Sequence, residues 1–444
     1  NGDANVAGNK LDGAKIFVAA GFDQETGTIA LRKAWDNPAA AVDAGGAIPG
    51  YTVDQRGVSR DNPNMNGKFS VGAYTLIAGP ASPWVVTIFG DVLDAEDGET
   101  SLREAIEYVN ANGTKEQIVF DYDRIYSSMT PEQKAVYGTN LVLVLDAALG
   151  SLNIKVNGMW LDGKNIIGTN QNAVITVDGS KLTESVFTVT GLNNTFANLT
   201  VNGGSAANGG AFNITGPAEG SSVTTLNNLT ITQGSAANGG LIYANGGTLE
   251  ITGGLYENGK ATGNGGLIHI AKGNLNITGA VLNNGKAGGD GGAIYSKSGL
   301  ITVYSEGILI EDCTAAGKGS AIYSYAPIRA NDGVIYGTVV AKGGITKDNY
   351  PAYENTAVTF FGDVTGDGED ATGDIKTGMY YGKVTGITED EDVVAVYFYS
   401  DGEVYATFVI KKGETVKVPI TPEDIRTFIG WYNGDFMYDF ETPV

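Results

Sequence analysis

The 444-residue chain carries 65 glycines, 42% hydrophobic residues and a net charge of −22, and that hydrophobic share excludes wholesale disorder. Fifty acidic against 28 basic residues argue against nucleic acid as a partner, since such a chain repels phosphate backbones. With one cysteine, Cys313, and one histidine, His269, an intrachain disulfide framework and histidine-rich metal or acid–base sites are out.

No apolar run reaches the length of a transmembrane helix, and the start at Asn1 suits a processed or excised chain. Residues 37–74 contain NPAAAVDAGG, DQRGVSR and FSVGAY. They resemble the closing segment found at the C-terminal end of exported β-helix proteins. The match runs through 39–45, then Asp54, Gln55, Arg56, Gly57 and Arg60, then Val71, Gly72, Ala73 and Tyr74. Ser70 and Thr75 stand where that family has aspartate and glutamate. A closing segment ahead of the body implies a permuted order. Either the chain comes from a tandem array, or residues 1–80 close a neighbouring copy, a heterologous contact that polymerises head to tail.

Ser101-Leu102-Arg103-Glu104 has capping-box spacing, and Leu102, Ala105, Ile106 and Val109 form one apolar stripe. This predicts a helix near 101–111, stopped by Asn110 to Gly113, as the lid of a solenoid. The run VVTIFGDVLDAEDGETSLREAIEYVNAN (85–112), followed by IVFD (118–121), resembles the start of exported β-helix proteins.

Beyond it the chain repeats. SAANGGAFNITG (205–216), SAANGGLIYANG (235–246), ATGNGGLIHIAKG (261–273) and AGGDGGAIYSKSG (287–299) align on paired glycines, with AAGKGSAIYSYAP (315–327) weaker. The second glycines, Gly210, Gly240, Gly266 and Gly292, recur at steps of 30, 26 and 26. Each period holds about three short apolar-alternating runs bounded by Gly or Asn, too little to bury a core alone. Stacked in parallel they enclose a continuous one. The fold class expected is all-β, a right-handed parallel β-helix with a short capping helix and a small β-rich C-terminal domain. The glycines suit tight corners with positive φ and close backbone approach. Asn198, Asn228, Asn258 and Asn284 recur near one place in each coil, as an amide ladder or as plain turn residues. The Gly-Gly repeats resemble the polymorphic outer-membrane protein repeats of bacterial surface adhesins.

The solenoid is expected from about 84 to 345, within a domain of 81–350. An acidic stretch, 351–392, follows. In it Asp363, Thr365, Asp367, Glu369 and Asp374, with Gly368, fall at the spacing of a calcium loop. Asp370 stands where an apolar residue belongs, and no flanking helix is evident, so a solvated acidic linker is the favoured reading over calcium. Residues 393–444 contain VAVYFY and ATFVI around Ser400-Asp401-Gly402, which predicts a hairpin. Phe428, Trp431, Phe436 and Phe440 would supply its core. With Lys411, Gly413, Glu414, Val416, Gly430-Trp431-Tyr432 and Asp439-Phe440, this stretch resembles the Listeria–Bacteroides repeat.

Charge is uneven: residues 201–330 hold seven acidic and six basic residues, 351–444 eighteen and six. Between 201 and 330, Glu250, Glu257 and Asp290 do not fall at equivalent places, so no carboxylate stack of the kind a polysaccharide lyase or hydrolase needs emerges. His269 and Cys313 read as a satisfied strand residue and a small core residue. The expectation is a non-catalytic extracellular structural or adhesive protein at the cell surface, a subunit of a head-to-tail filament or an adhesin. Its partners would be itself, a host or neighbouring-cell surface, or glycans; the alternative is a polysaccharide-binding or polysaccharide-cleaving β-helix protein. No cofactor is required; calcium at that loop is the one candidate.

Overall fold

The computed structural model describes four short strands within residues 17–38, and residues 82–444 apart from 95–96, 115–116, 218–221, 305–306, 348–356, 367–374, 388–391, 422–429 and 435. Of the early strands, Phe17–Asp23 pairs antiparallel with Thr28–Leu31, and Lys33–Ala34 with Asn37–Pro38.

From Val85 onward the chain winds as a parallel β-solenoid. One coil shows the path. Ile242–Thr252 lies in a 16-stranded sheet, Leu255–Glu257 in a 12-stranded sheet and Lys260–Ala261 in a 5-stranded sheet. The next coil begins again at Ile268–Thr278. The registers stack like on like: Ile242 on Ile268, Ile294 and Ile322; Leu226 on Ile251, Ile277 and Val303. These columns are fully buried and make one core. Alternation sends every second side chain inward, which is why each period reads as short apolar-alternating runs. Phe187, Phe196 and Phe212 fill the early coils with ring centroids 4.9–5.1 Å apart.

The two glycines of each pair meet different demands. The first, at 209, 239, 265 and 291, has φ between +58° and +69°, a region closed to most side chains. The second lacks room instead: a Cβ on Gly266 would lie 2.1 Å from the Gly292 carbonyl oxygen of the next coil.

The helix at Leu102–Asn112 forms with its capping box complete: Ser101 Oγ accepts from Glu104 N–H, and the Glu104 carboxylate accepts from Ser101 N–H. The expected stripe is buried, and the helix packs on strand Leu152–Ile154, the first of the 16-stranded sheet. A raw edge would invite further strands. Here side chains stand in for the missing coil. Asn110 donates to the Asn153 carbonyl at 2.7 Å and accepts from the Lys155 and Val156 amides. Arg103 donates to the carbonyls of Leu149, Gly150 and Ser151 while pairing with Asp91 at 2.8 Å in the interior. Two further helices, Tyr122–Ser128 and Pro131–Tyr137, were not foreseen; the first also packs on the opening strands.

The other end departs from expectation. The solenoid does not stop near 345. Val358–Phe361, Val364–Thr365, Gly378–Tyr380 and Val384–Thr385 extend the two large sheets in register. The described parts of 351–392 are thus coils and not a linker: Asp363 lies at the turn between Val358–Phe361 and Val364–Thr365, while Val358, Phe360, Val364 and Tyr380 face the core. The hairpin Val393–Ser400 and Glu403–Lys411 forms around Asp401 and Gly402, both with positive φ. It is not a separate module. Its second strand pairs antiparallel with Gly378–Tyr380 and so continues the 12-stranded sheet. A second small core on that sheet's outer side gathers Phe398, Ala406, Phe408, Val416 and Trp431, with Met379 and Tyr381 against it. Phe440 joins it, whereas Phe436 is 80% exposed at a hairpin tip; Phe428 lies outside the described residues.

Candidate functional site

The four asparagines do not form one stack. Asn198 and Asn228 turn the chain from the 16- to the 12-stranded sheet, where Gly253, Gly279 and Gly307 follow with the same positive φ. Asn228 Nδ2 donates to Asn198 Oδ1 at 3.0 Å, and Asn198 Nδ2 to Asp162 at 2.9 Å. Asn258 and Asn284 turn the next corner, in line with Gln233 and Asp312. There Asn284 Nδ2 donates to Asn258 Oδ1 at 2.6 Å. Each residue is both turn and ladder: asparagine tolerates left-handed backbone, and its amide bonds its counterpart one coil away.

A third ladder precedes the paired glycines. Asn238 Nδ2 donates to Asn208, Asn264 N–H to Asn238 Oδ1, Asp290 N–H to Asn264 Oδ1 and Lys318 N–H to Asp290 Oδ1. The signal was in the sequence, as the residue before each glycine pair.

Outside the 16-stranded sheet the register stacks Tyr243, His269, Tyr295 and Tyr323, centroids 5.2, 4.8 and 5.6 Å apart. The glycine-pair loops cover this column: His269 and Tyr323 are buried, and Tyr325 beside them is 47% exposed. Burial pushes the His269 pKa down to about 4, against the opposing Asn264 carbonyl and with help from Lys297. His269 is therefore a neutral ring at pH 7. Burial likewise pushes the Cys313 thiol up to about 11, and Gly285 N–H donates to its sulfur at 3.3 Å. It closes a corner in line with Gly285.

Glu250 stands between Thr225 and Asn276 in register, and Glu257 beside Thr232 and Asn283. Among the described residues no three His, Cys, Asp or Glu side chains converge as a metal site. Of the calcium-loop residues, Asp363 accepts from Lys383 N–H at 2.9 Å, and Thr365 sits on a strand between Val340 and Thr385. Asp367, Glu369 and Asp374 lie outside the described residues, as does the segment Asp54, Gln55, Arg56, Gly57, Arg60, Gly72, Ala73 and Tyr74. No described helix is long and apolar enough to cross a membrane.

Exposed apolar side chains are distributed unevenly. Leu93, Val136, Trp160, Ile167 and Val174 lie on the opening coils and their caps. Tyr397, Tyr399, Val404 and Phe436 lie on the closing elements. Among the described residues none that is large and exposed falls between 175 and 324.

Comparison of the chain with known protein families, with curated proteins and with solved structures finds no match.

Proposed function

We propose that the protein is a non-catalytic, exported structural or adhesive rod that associates with further copies of itself end to end. One observation carries the reading: the large exposed apolar side chains gather on the opening coils and the closing elements, and among the described residues none falls between 175 and 324, with Tyr325 and Tyr336 the exceptions on the later coils. Where such side chains adjoin at an end, they suit a contact surface. The shaft spends its polar side chains on bonds between coils, which suits a stiff element. The resemblance of residues 37–74 to a closing segment supports strand donation from one copy to the last coil of the next. The strands Ile322–Ser324, Ile328–Ala330, Gly333–Tyr336 and Val339–Ala341 are already paired on both sides, so the acceptor is the coil ending at Val384–Thr385, paired on one side only among the described residues.

Sedimentation of the full chain and of a chain lacking residues 1–80 tests this. The full chain should associate with rising concentration and the shortened one stay monomeric. Unchanged oligomers after the deletion would exclude strand donation, and reproducible product release from polysaccharides would overturn the non-catalytic reading.

A further inference from the structure

Asn-Gly pairs are chemically labile, because the glycine amide nitrogen can attack the asparagine side-chain carbonyl with little steric hindrance. The chain has many such pairs, and the fold treats them unequally. At three pairs of the solenoid the glycine amides are engaged: Gly209, Gly239 and Gly265 N–H each donate to a carbonyl of the next coil at 3.0 Å. The preceding side chains are held too, since Asn238 and Asn264 accept backbone bonds through Oδ1. An amide locked in a ladder cannot swing onto its neighbour's carbonyl without local opening. Asn433-Gly434 differs. It enters the tip of the hairpin Tyr432–Asn433 and Phe436–Met437, whose four strand residues are all exposed. Gly434 has φ +63° with open space around the position of a Cβ, and no backbone hydrogen bond among the described residues holds its amide.

We infer that Asn433 is a site of spontaneous deamidation, and that the solenoid shields the Asn-Gly pairs at 208, 238 and 264 from the same reaction. Hydroxide removes the Gly434 amide proton; the nitrogen bonds to Asn433 Cγ, the Cγ–Nδ2 bond breaks and ammonia leaves. Water then opens the cyclic imide to aspartate or isoaspartate. Each event adds one negative charge, and isoaspartate lengthens the backbone beside a two-residue turn, breaking the Tyr432–Met437 register. Trp431, which packs on Phe398 and Tyr405, adjoins that hairpin.

The full chain incubated at mildly alkaline pH, then digested and mapped by mass spectrometry, tests this, with a parallel sample held in guanidinium. In the folded protein Asn433 should convert at least about tenfold faster than Asn208, Asn238 and Asn264, the ladder amides being exposed only in rare openings. In guanidinium the four should converge. Equal rates in the folded protein, an intact Asn433, or a difference that persists in guanidinium would each overturn the proposal.

Discussion

At the residue scale, the coil spacing rests on the absence of a methyl group. Gly266→Ala places a Cβ against the Gly292 carbonyl, with backbone on both sides and nowhere to yield. It should lower stability by about 3 kcal/mol or more in denaturant unfolding, whereas Gly90→Ala, with open space around it, should be close to neutral. At Asn228 the corner accepts glycine one coil on, so Asn228→Gly should cost only about 1 kcal/mol, the lost amide bond. Asn228→Val adds strain in left-handed backbone and should cost clearly more. Tyr256 hides an opposite feature: its hydroxyl is fully buried without a hydrogen-bond partner. Tyr256→Phe should therefore be neutral or raise stability by about 1 kcal/mol. His269 links stability to pH. Its folded pKa, about 4, lies below its ordinary 6.5, so the unfolded chain binds the proton more tightly. Its contribution is complete above 6.5 and lost as pH falls toward 4. Asp97, whose pKa burial raises to about 6, works in the opposite sense over an overlapping window. The difference in melting temperature between wild type and His269→Phe, measured from pH 7 to 4, isolates the histidine. It should shift in favour of the variant as pH falls.

At the element scale, the capping helix was legible almost to the residue, because its start signal, stripe and stop all lie within one short stretch. What Arg103 and Asn110 do was not. Their backbone partners lie more than forty residues away, at a sheet edge that exists only once the coils have stacked. Arg103→Ala leaves Asp91 buried without its ion-pair partner and removes a donor from three carbonyls, a loss of about 3–5 kcal/mol in unfolding measurements. The glycine pairs gave the coil period and the sheet path directly. The asparagines were harder to place: their spacings of 30, 30 and 26 residues run across two corners, since Asn, Gly, Gln and Asp all fill corner positions with positive φ.

At the scale of the whole molecule, the parallel β-solenoid followed from periodicity, but its length did not. Beyond 345 the repeat loses its glycine pairs, and the high share of acidic residues disguises coils whose inward residues are still apolar. The C-terminal hairpin is legible as a hairpin but reads as a separate module, because nothing local announces that its second strand pairs with Gly378–Tyr380. The functional proposal belongs to this scale too. Both ends carry net negative charge, with eighteen acidic against six basic residues in 351–444 alone. Contact between apolar ends should therefore strengthen when salt screens the repulsion, unlike an interface held by opposite charges. Electron micrographs of the full chain at moderate salt test the account most directly. It predicts rods one solenoid wide, joined end to end, and lengthening with protein concentration. Side-by-side sheets, or single short rods at every concentration, would contradict it.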